Sequence, residues 1–342
     1  MNSTRWLIAN ALGRTVHTTG MDRILFAAAG KRGALTVLTY HRIAEEDEYP
    51  ELDPSLISAT PNGFGCQLDY LAKHFNFISG AQLLASMAGE QTLPSAPLLV
   101  TFDDGYVDFE KNAWPQLRRR SIPAVQFITT HAVETGEAFW WDKLHNLLGS
   151  LGNRSIVDMD GVARPASQNS TKKHLKARLK STQPEKAAAW LEARCQEAGI
   201  VTRERSALSW ESLKRLNSEG LEVCPHTRTH PIITHLGAED ISREISESHR
   251  ELEQHLDSVL PMFAYPSGYV DERARDLCSR TSVQVAFTTR FGVNGLDNCD
   301  RWMMRRINVS SKAQAATLGL QAALANLGFS RFRALKAPVV AV

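Results

Sequence analysis

The sequence contains no run of eighteen apolar residues, so no stretch is long enough to cross a membrane as a helix. Its start offers only Trp6–Leu7–Ile8–Ala9 before Asn10, then Arg14 and His17. A secretory core needs a longer apolar run, so the chain reads as unexported and cytoplasmic. An excess of one charge is also missing. The 39 Lys+Arg residues nearly cancel the 37 Asp+Glu, leaving +2, which removes the usual argument for a nucleic-acid partner. Cysteine is scarce: Cys66, Cys195, Cys224, Cys278 and Cys299 are odd in number and never spaced as CxxC, which excludes a disulfide scaffold and suits a reduced compartment. No strand-like run leads into a glycine-rich dinucleotide fingerprint, and no internal repeat or low-complexity tract is visible.

What is present is the composition of a globular protein, with 43% apolar and 22% charged residues in 342. At roughly 150 residues per domain the length suggests two units, but α/β barrels of this size are often single. Short apolar runs recur at Leu35–Tyr40, Phe75–Ile78, Leu98–Phe102, Ala124–Thr129, Leu221–Cys224, Met262–Tyr265 and Val283–Thr288. Helical patterns such as Phe64–His74, Val107–Arg120, Trp210–Glu219 and Ile241–Leu256 separate them. Strand and helix in alternation, with strands apolar on both faces, predict parallel βαβ units in a distorted, incomplete (β/α) barrel over residues 34–310.

Residues 150–207 break that rhythm. Lys172, Lys173, Lys176, Arg178, Lys180 and Lys186 lie among few strand formers, and the segment reads as an insertion of one or two polar helices. A solvated basic face is one reading of it; a hold on an anionic substrate is the other. Both ends of the chain are cationic. Residues 1–33 carry Arg5, Arg14, Arg23, Lys31 and Arg32 against Asp22 alone. The C-terminal part, 311–342, reads as a helix and a basic tail with Arg331, Arg333 and Lys336 and no acid in that tail. Apolar residues interleave with these charges, which allows peripheral contact with the inner membrane, the alternative being solvated termini.

Two clusters at strand ends carry chemistry. In Thr101–Phe102–Asp103–Asp104–Gly105–Tyr106, adjacent carboxylates repel and need a reason, either a turn or a site. In Pro225–His226–Thr227–Arg228–Thr229–His230–Pro231, two histidines four apart sit between prolines. No glutamate follows the first, so this is not the helical HExxH of a zinc protease. Two histidines and one aspartate supply the three protein ligands of a catalytic metal site.

The stretches TFDDGY and HTRTHP resemble the first two motifs of the polysaccharide deacetylases, the NodB-like carbohydrate esterase family 4. Leu38–Thr39–Tyr40–His41–Arg42 resembles the opening YHR strand of one branch, and Trp140–Trp141–Asp142, Leu208–Ser209–Trp210 and Phe263–Ala264–Tyr265–Pro266–Ser267–Gly268 fit the same branch. The resemblance implies an incomplete barrel with its site at the C-terminal strand ends. It implies Asp104, His226 and His230 as ligands of one divalent metal ion, with zinc the candidate. Asp103 becomes the base that takes a proton from the attacking water, and a backbone N–H near Tyr106 would help hold the oxyanion. The implied reaction is hydrolysis of an N-acetyl group on an amino sugar, free or lipid-linked. Alternatives are a deformylase or other sugar amidohydrolase, and a catalytically silent sugar-binding module.

Two family features are missing. No arginine opens the third motif, where Leu260–Pro261–Met262–Phe263 stands; Arg305, or Arg306 beside it, is the arginine left to reach the same carboxylate. No histidine follows His255, so the usual acid for the leaving amine is absent. His41 takes that role, because it alone among the unassigned histidines ends a clear apolar strand. Tyr106, Trp140, Trp141 and Tyr265 are the aromatics that could stack on sugar rings, and Arg305 joins Tyr106, Trp141 and Tyr265 as the substrate-side set.

Overall fold

The apolar runs become strands of one parallel sheet in the computed structural model, which describes residues 3–30, 33–200 and 205–328. In chain order the strands are β1 (Thr36–Tyr40), β2 (Arg42–Ile43), β3 (Ile57–Ala59), β4 (Asn76–Ile78), β5 (Pro97–Phe102) and β6 (Val125–Ile128). They continue with β7 (Ser155–Val157), β8 (Ala163–Pro165), β9 (Glu222–Pro225), β10 (Met262–Ala264), β11 (Val285–Phe291) and β12 (Met304–Asn308). Seven of them run in the order β10-β11-β12-β1-β5-β6-β9, every pair parallel, and β4 adds to the first half of β5. The backbone hydrogen bond from Leu260 N–H to Val223 O at 3.0 Å spans the seam between β9 and β10. The barrel is nearly closed, as expected.

Strand alternation sorts the side chains. Val37, Leu99, Val125, Phe127, Met262, Ala264, Val285, Phe287 and Met304 pack together inside the barrel. Their neighbours face outward. Leu38, Val100, Phe102 and Ile307 meet Phe64, Leu68, Leu318 and Ala322 on the helices Pro61–Leu71 and Ala315–Asn326. Phe263, Tyr265 and Ala286 meet Ile241, Ile245 and Ala274 on the helices Ala238–His255 and Glu272–Cys278. Each such buried apolar side chain contributes about 1.5–3 kcal/mol. Helix starts are marked by caps: Thr60 accepts from Gly63 N–H ahead of Pro61, and Ser79 and Gln82 form a reciprocal capping box.

The N-terminal segment is docked against the C-terminal helix. Helices α1 (Ser3–Thr18) and α2 (Met21–Gly30) lie on Ala315–Asn326, with Trp6, Ala9 and Val16 buried. Gly13 marks the closest approach; a Cβ there would meet Thr317 Oγ1 at 2.8 Å and Thr317 N at 2.9 Å. Asn10 locks the crossing, donating to Lys312 O at 2.9 Å and accepting from Thr317 Oγ1 at 2.7 Å. Lys31, Arg32 and the tail cations Arg331, Arg333 and Lys336 lie outside the described residues.

The insertion is more than polar helices. An antiparallel hairpin of β7 and β8 precedes the helices Asn169–Lys180 and Pro184–Glu197. Its Ile156, Leu175, Leu179 and Leu191 share an apolar cluster with Leu144 and Leu147 of the preceding helix, Trp140–Leu151. The hairpin escaped the pattern because each strand is three residues long, too short for a period-2 signal.

Candidate active site

β5 ends at Phe102, and Asp103 continues the ladder by one bond, its N–H donating to Tyr40 O at 3.0 Å. The backbone then turns through Asp104 (φ 74°) and Gly105 (φ 84°). So the Asp-Asp-Gly turn is real, and it is also the site: it sends the two carboxylates in different directions.

Asp103 points into the barrel and meets Arg306 of β12. The guanidinium fork grips both oxygens, Nη1 to Oδ1 at 2.8 Å and Nη2 to Oδ2 at 2.7 Å, while Nε donates to Thr288 O at 3.0 Å. Both side chains are buried. Burial alone would raise the carboxyl pKa, but the facing Arg306 charge and the neighbouring histidines outweigh it and hold Asp103 below its ordinary value. Arg305 does not share this role. It is the exposed neighbour on the opposite face of β12, where its N–H bonds Asn294 Oδ1 at 2.8 Å, so its assignment to the substrate side is corrected.

Asp104 points toward the second cluster. His226 follows β9, and its Nδ1 lies 2.7 Å from Ala264 O, an acceptor only, so Nδ1 carries the hydrogen and Nε2 is left with a free lone pair. His230 returns through a loop with two left-handed residues, Thr227 (φ 65°) and His230 itself (φ 59°). Glu244 clamps that loop, accepting from Arg228 N–H at 2.8 Å, Thr229 N–H at 2.9 Å and the Thr229 hydroxyl at 2.7 Å. Both imidazoles aim Nε2 at one oxygen, Asp104 Oδ1, at 3.5 Å from His226 and 3.4 Å from His230. Burial would raise the Asp104 pKa, but the two histidines draw it far below the carboxylate range. Left-handed residues other than glycine cost about 1–3 kcal/mol each and persist where the surroundings over-determine them. Of the six such residues described, Asp104, Thr227, His230 and Ser267 all belong to this region.

The three donor atoms lie within 4.8 Å of one another, on buried side chains. A carboxylate and two imidazole Nε2 atoms, that of His226 with its lone pair left free, form a donor set that fits a divalent cation with a coordination position to spare.

Comparison with known proteins places this constellation. The polysaccharide deacetylase family profile matches residues 90–286, more than half of the chain and a span that contains Asp103, Asp104, His226 and His230. The chain belongs to the polysaccharide deacetylase family. It is therefore a hydrolase of amide C–N bonds that acts in carbohydrate N-deacetylation. Solved structures with the same fold include the Streptococcus pyogenes deacetylase PplD in complex with acetate, at 17% identity over 84% of this chain and 97% of that one, TM-score 0.59. IcaB from Ammonifex degensii is 22% identical over 84% and 97%, TM-score 0.55. A de-N-acetylase from Aggregatibacter actinomycetemcomitans is 14% identical over 84% and 99%, TM-score 0.56. No curated protein sequence matches.

Around this deacetylase site the remaining assignments divide. The pocket is lined by His41, Leu56, Asp103, Asp104, Trp140, Trp141, Lys176, Lys180, His226, His230, Ser267, Thr289 and Asn308. His41, which follows β1, is half-buried there. Trp141 stands edge-on to His230, ring centroids 4.8 Å apart, and its indole donates to Tyr106 Oη at 2.5 Å. Tyr106 and Tyr265 are corrections. Tyr106 is fully buried behind Trp141, donating to Asp142 Oδ2 at 2.8 Å, so it supports the wall and does not face a sugar. Tyr265 has the outward parity of its strand and packs on Phe263 at 5.2 Å under the outer helices.

Several contributors were not read from the sequence. Glu244 gives no motif, and Asn308 and Thr289 are ordinary strand residues. Asp53 is a buried carboxylate that takes Lys172 at 3.0 Å and Lys176, while its N–H donates to Asp142 Oδ1 at 2.7 Å. Through Asp142, Tyr106 and Trp141 the insertion is thereby linked to His230. The lysine spacing was visible, but its target lies more than a hundred residues away in the chain.

Proposed function

We propose that the protein is a metal-dependent N-deacetylase of an amino-sugar glycan precursor, with Asp103 and His41 as its proton-transfer pair. The observation that carries this reading is the convergence on one pocket of Asp104, His226 and His230, the Asp103–Arg306 pair and His41. Asp104, His226 and His230 would hold one divalent ion, zinc by the chemistry of the donor set, which when bound polarises the amide carbonyl and acidifies water. Asp103 accepts the proton of the attacking water. Arg306 keeps that carboxylate ionised and fixed in direction. His41, which follows β1 beside the end of β5, hands a proton to the departing amine, the role for which this chain has no histidine beyond His255. Trp140 and Trp141 give the sugar an apolar wall.

The test is product release from N-acetylated amino-sugar oligomers. Acetate is expected from the wild type; formate from an N-formyl analogue in its place would select the deformylase reading, and neither product would overturn the assignment. His41→Ala should keep its metal, lose roughly 10²-fold in turnover and lose the basic limb of the pH–rate profile. Wild-type turnover with an unchanged profile would show that the proton comes from elsewhere.

We also propose that the protein works against the anionic cytoplasmic face of a membrane, on a lipid-linked precursor. Of the seven large apolar side chains exposed among the described residues, five lie on α1 and α2: Leu7 (69% exposed), Ile8, Leu12, Met21 and Ile24 (71%). Arg5, Arg14 and Arg23 are exposed beside them, and the one acid of these helices, Asp22, is buried against His17 and Tyr70. An apolar face edged by cations and free of exposed acids complements an anionic lipid surface. The protein should co-sediment with phosphatidylglycerol vesicles, be released by salt, and lose binding in a Leu7→Ser/Ile8→Ser/Ile24→Ser variant. Equal recovery in the supernatant with and without vesicles at low salt would reject the membrane location and favour a soluble sugar nucleotide.

A further inference from the structure

The helix Asn169–Lys180 carries two adjacent stripes. Thr171, Leu175 and Leu179 are buried in the core of the insertion. Lys172, Lys176 and Lys180, at the same four-residue spacing, fall on the neighbouring face and stand along one side of the catalytic pocket, with Lys176 and Lys180 in its lining. Like charges at i, i+4 repel, so three in a row weaken the helix unless something faces them. One carboxylate does. Asp53 takes Lys172 at 3.0 Å and also pairs with Lys176.

Lys180 is left over. Its Nζ donates to Ser267 Oγ at 3.3 Å and lies 5.7 Å from the Tyr269 ring, and among the described residues it forms no ion pair. The pocket's own acids are already engaged, Asp103 by Arg306 and Asp104 by the two histidines. A lysine in the last turn also suits the helix dipole, but water would serve that end and this side chain is half-buried. Burial, with Lys176 beside it, pushes the Lys180 pKa down to about 8 and outweighs the pull of the Asp104 carboxylate, the mark of a desolvated cation that is only partly compensated. Ser267 is held next to it by a left-handed turn (φ 54°), its carbonyl accepting from Thr289 Oγ1 at 3.2 Å, and because its Oγ accepts from Lys180 its hydroxyl hydrogen is left to donate elsewhere.

The geometry points to an anion subsite on the insertion side of the pocket. We propose that Lys180 and Ser267, backed by Lys172 and Lys176, receive a negatively charged group carried by the amino sugar, a phosphate ester or a uronate carboxylate. This rests on the deacetylase reading above for the identity of the sugar, and it makes the insertion the part of the chain that selects the substrate.

Isothermal titration of the full, metal-loaded chain with N-acetylglucosamine, N-acetylglucosamine 1-phosphate and N-acetylglucosaminuronate tests it. At least one charged probe should bind about tenfold more tightly than the neutral sugar. Lys180→Gln should erase that preference, Lys180→Arg should retain it, and Lys173→Gln, exposed on the same helix, should match the wild type. The probe that shows the preference identifies the anion as phosphate or carboxylate. Circular dichroism separates misfolding from loss of the contact, and Lys180→Arg keeps the comparison readable if the glutamine variant fails to fold. A wild type without preference, or a preference that survives in folded Lys180→Gln, overturns the proposal. Acetate release is followed separately. Its absence from the wild type with all three probes and with an N-acetylated oligomer counts against the hydrolase reading, whereas the binding comparison alone decides the subsite.

Discussion

His226→Ala protein is expected to lose its divalent ion and its amide hydrolysis together. The wild type should carry close to one ion per chain by elemental analysis, because three converging donors leave little freedom for partial occupancy. Removing one imidazole takes away a ligand whose direction was fixed from behind by the Ala264 carbonyl, and no other described histidine or carboxylate is positioned to replace it. The fold should survive, since the ring sits beyond the end of β9 and contributes to none of the apolar clusters. Loss of turnover should therefore be complete while the circular dichroism spectrum stays native. Full metal content in a folded His226→Ala protein would remove this residue from the ligand set.

Asp103→Asn should separate the base from the metal. The amide keeps the size of the side chain but cannot take a proton, so metal content should persist while turnover falls by roughly 10²–10⁴. The same change leaves the buried Arg306 guanidinium without its counter-charge. Breaking one side of such a pair destabilises by about 3–5 kcal/mol, so the variant should melt earlier and must be assayed where it is folded. Arg306→Met makes the complementary case. Without the guanidinium, burial dominates and the Asp103 pKa rises, so the acidic limb of the pH–rate profile should move to higher pH. The sign for stability follows from the same shift. Asp103 titrates lower in the folded chain than in the unfolded one, so its ionised form stabilises the fold at neutral pH, and that contribution is lost as pH falls through the lowered value. Equal metal loss in Asp103→Asn and Asp104→Asn would mean that the two carboxylates are not divided in this way.

The paired aspartates and the two histidines were legible because strand ends, a turn residue and a histidine pair are local signals. The barrel was legible for the same reason, as apolar runs with helical segments between them. What stayed hidden depends on parity or on distant partners. Arg305 and Arg306 are adjacent, and apolar residues flank both parities: Met304 accompanies Arg306 inside, while Ile307 shares the outward face with Arg305. Local composition could not choose between them; the position of Asp103 on a neighbouring part of the sheet does. Tyr265 was misplaced by one step of the same alternation, since Ala264 faces in and Tyr265 faces out. Tyr106 sits next to the catalytic turn in sequence, yet Trp141 and Asp142 cover it from a helix that the local pattern could not orient. The lysine stripe was visible as spacing, and its meaning depended on Asp53.

β12 lies between β1 and β11, so the first strand of the barrel, already paired with β5 on one edge, finds its second partner only near the end of the fold. During synthesis, β1, β5, β6 and β9 emerge and can pair while one edge of β1 still waits for a strand not yet made. Until Met304–Asn308 leaves the ribosome, Asp103 is a carboxylate with no guanidinium to face, in a barrel that lacks a stave. The nascent chain thus exposes an unpaired strand edge for most of its translation, and barrel closure and the Asp103–Arg306 pair arrive in one late step. A message truncated shortly before that strand would yield a product that aggregates or is degraded, with no residual hydrolase activity.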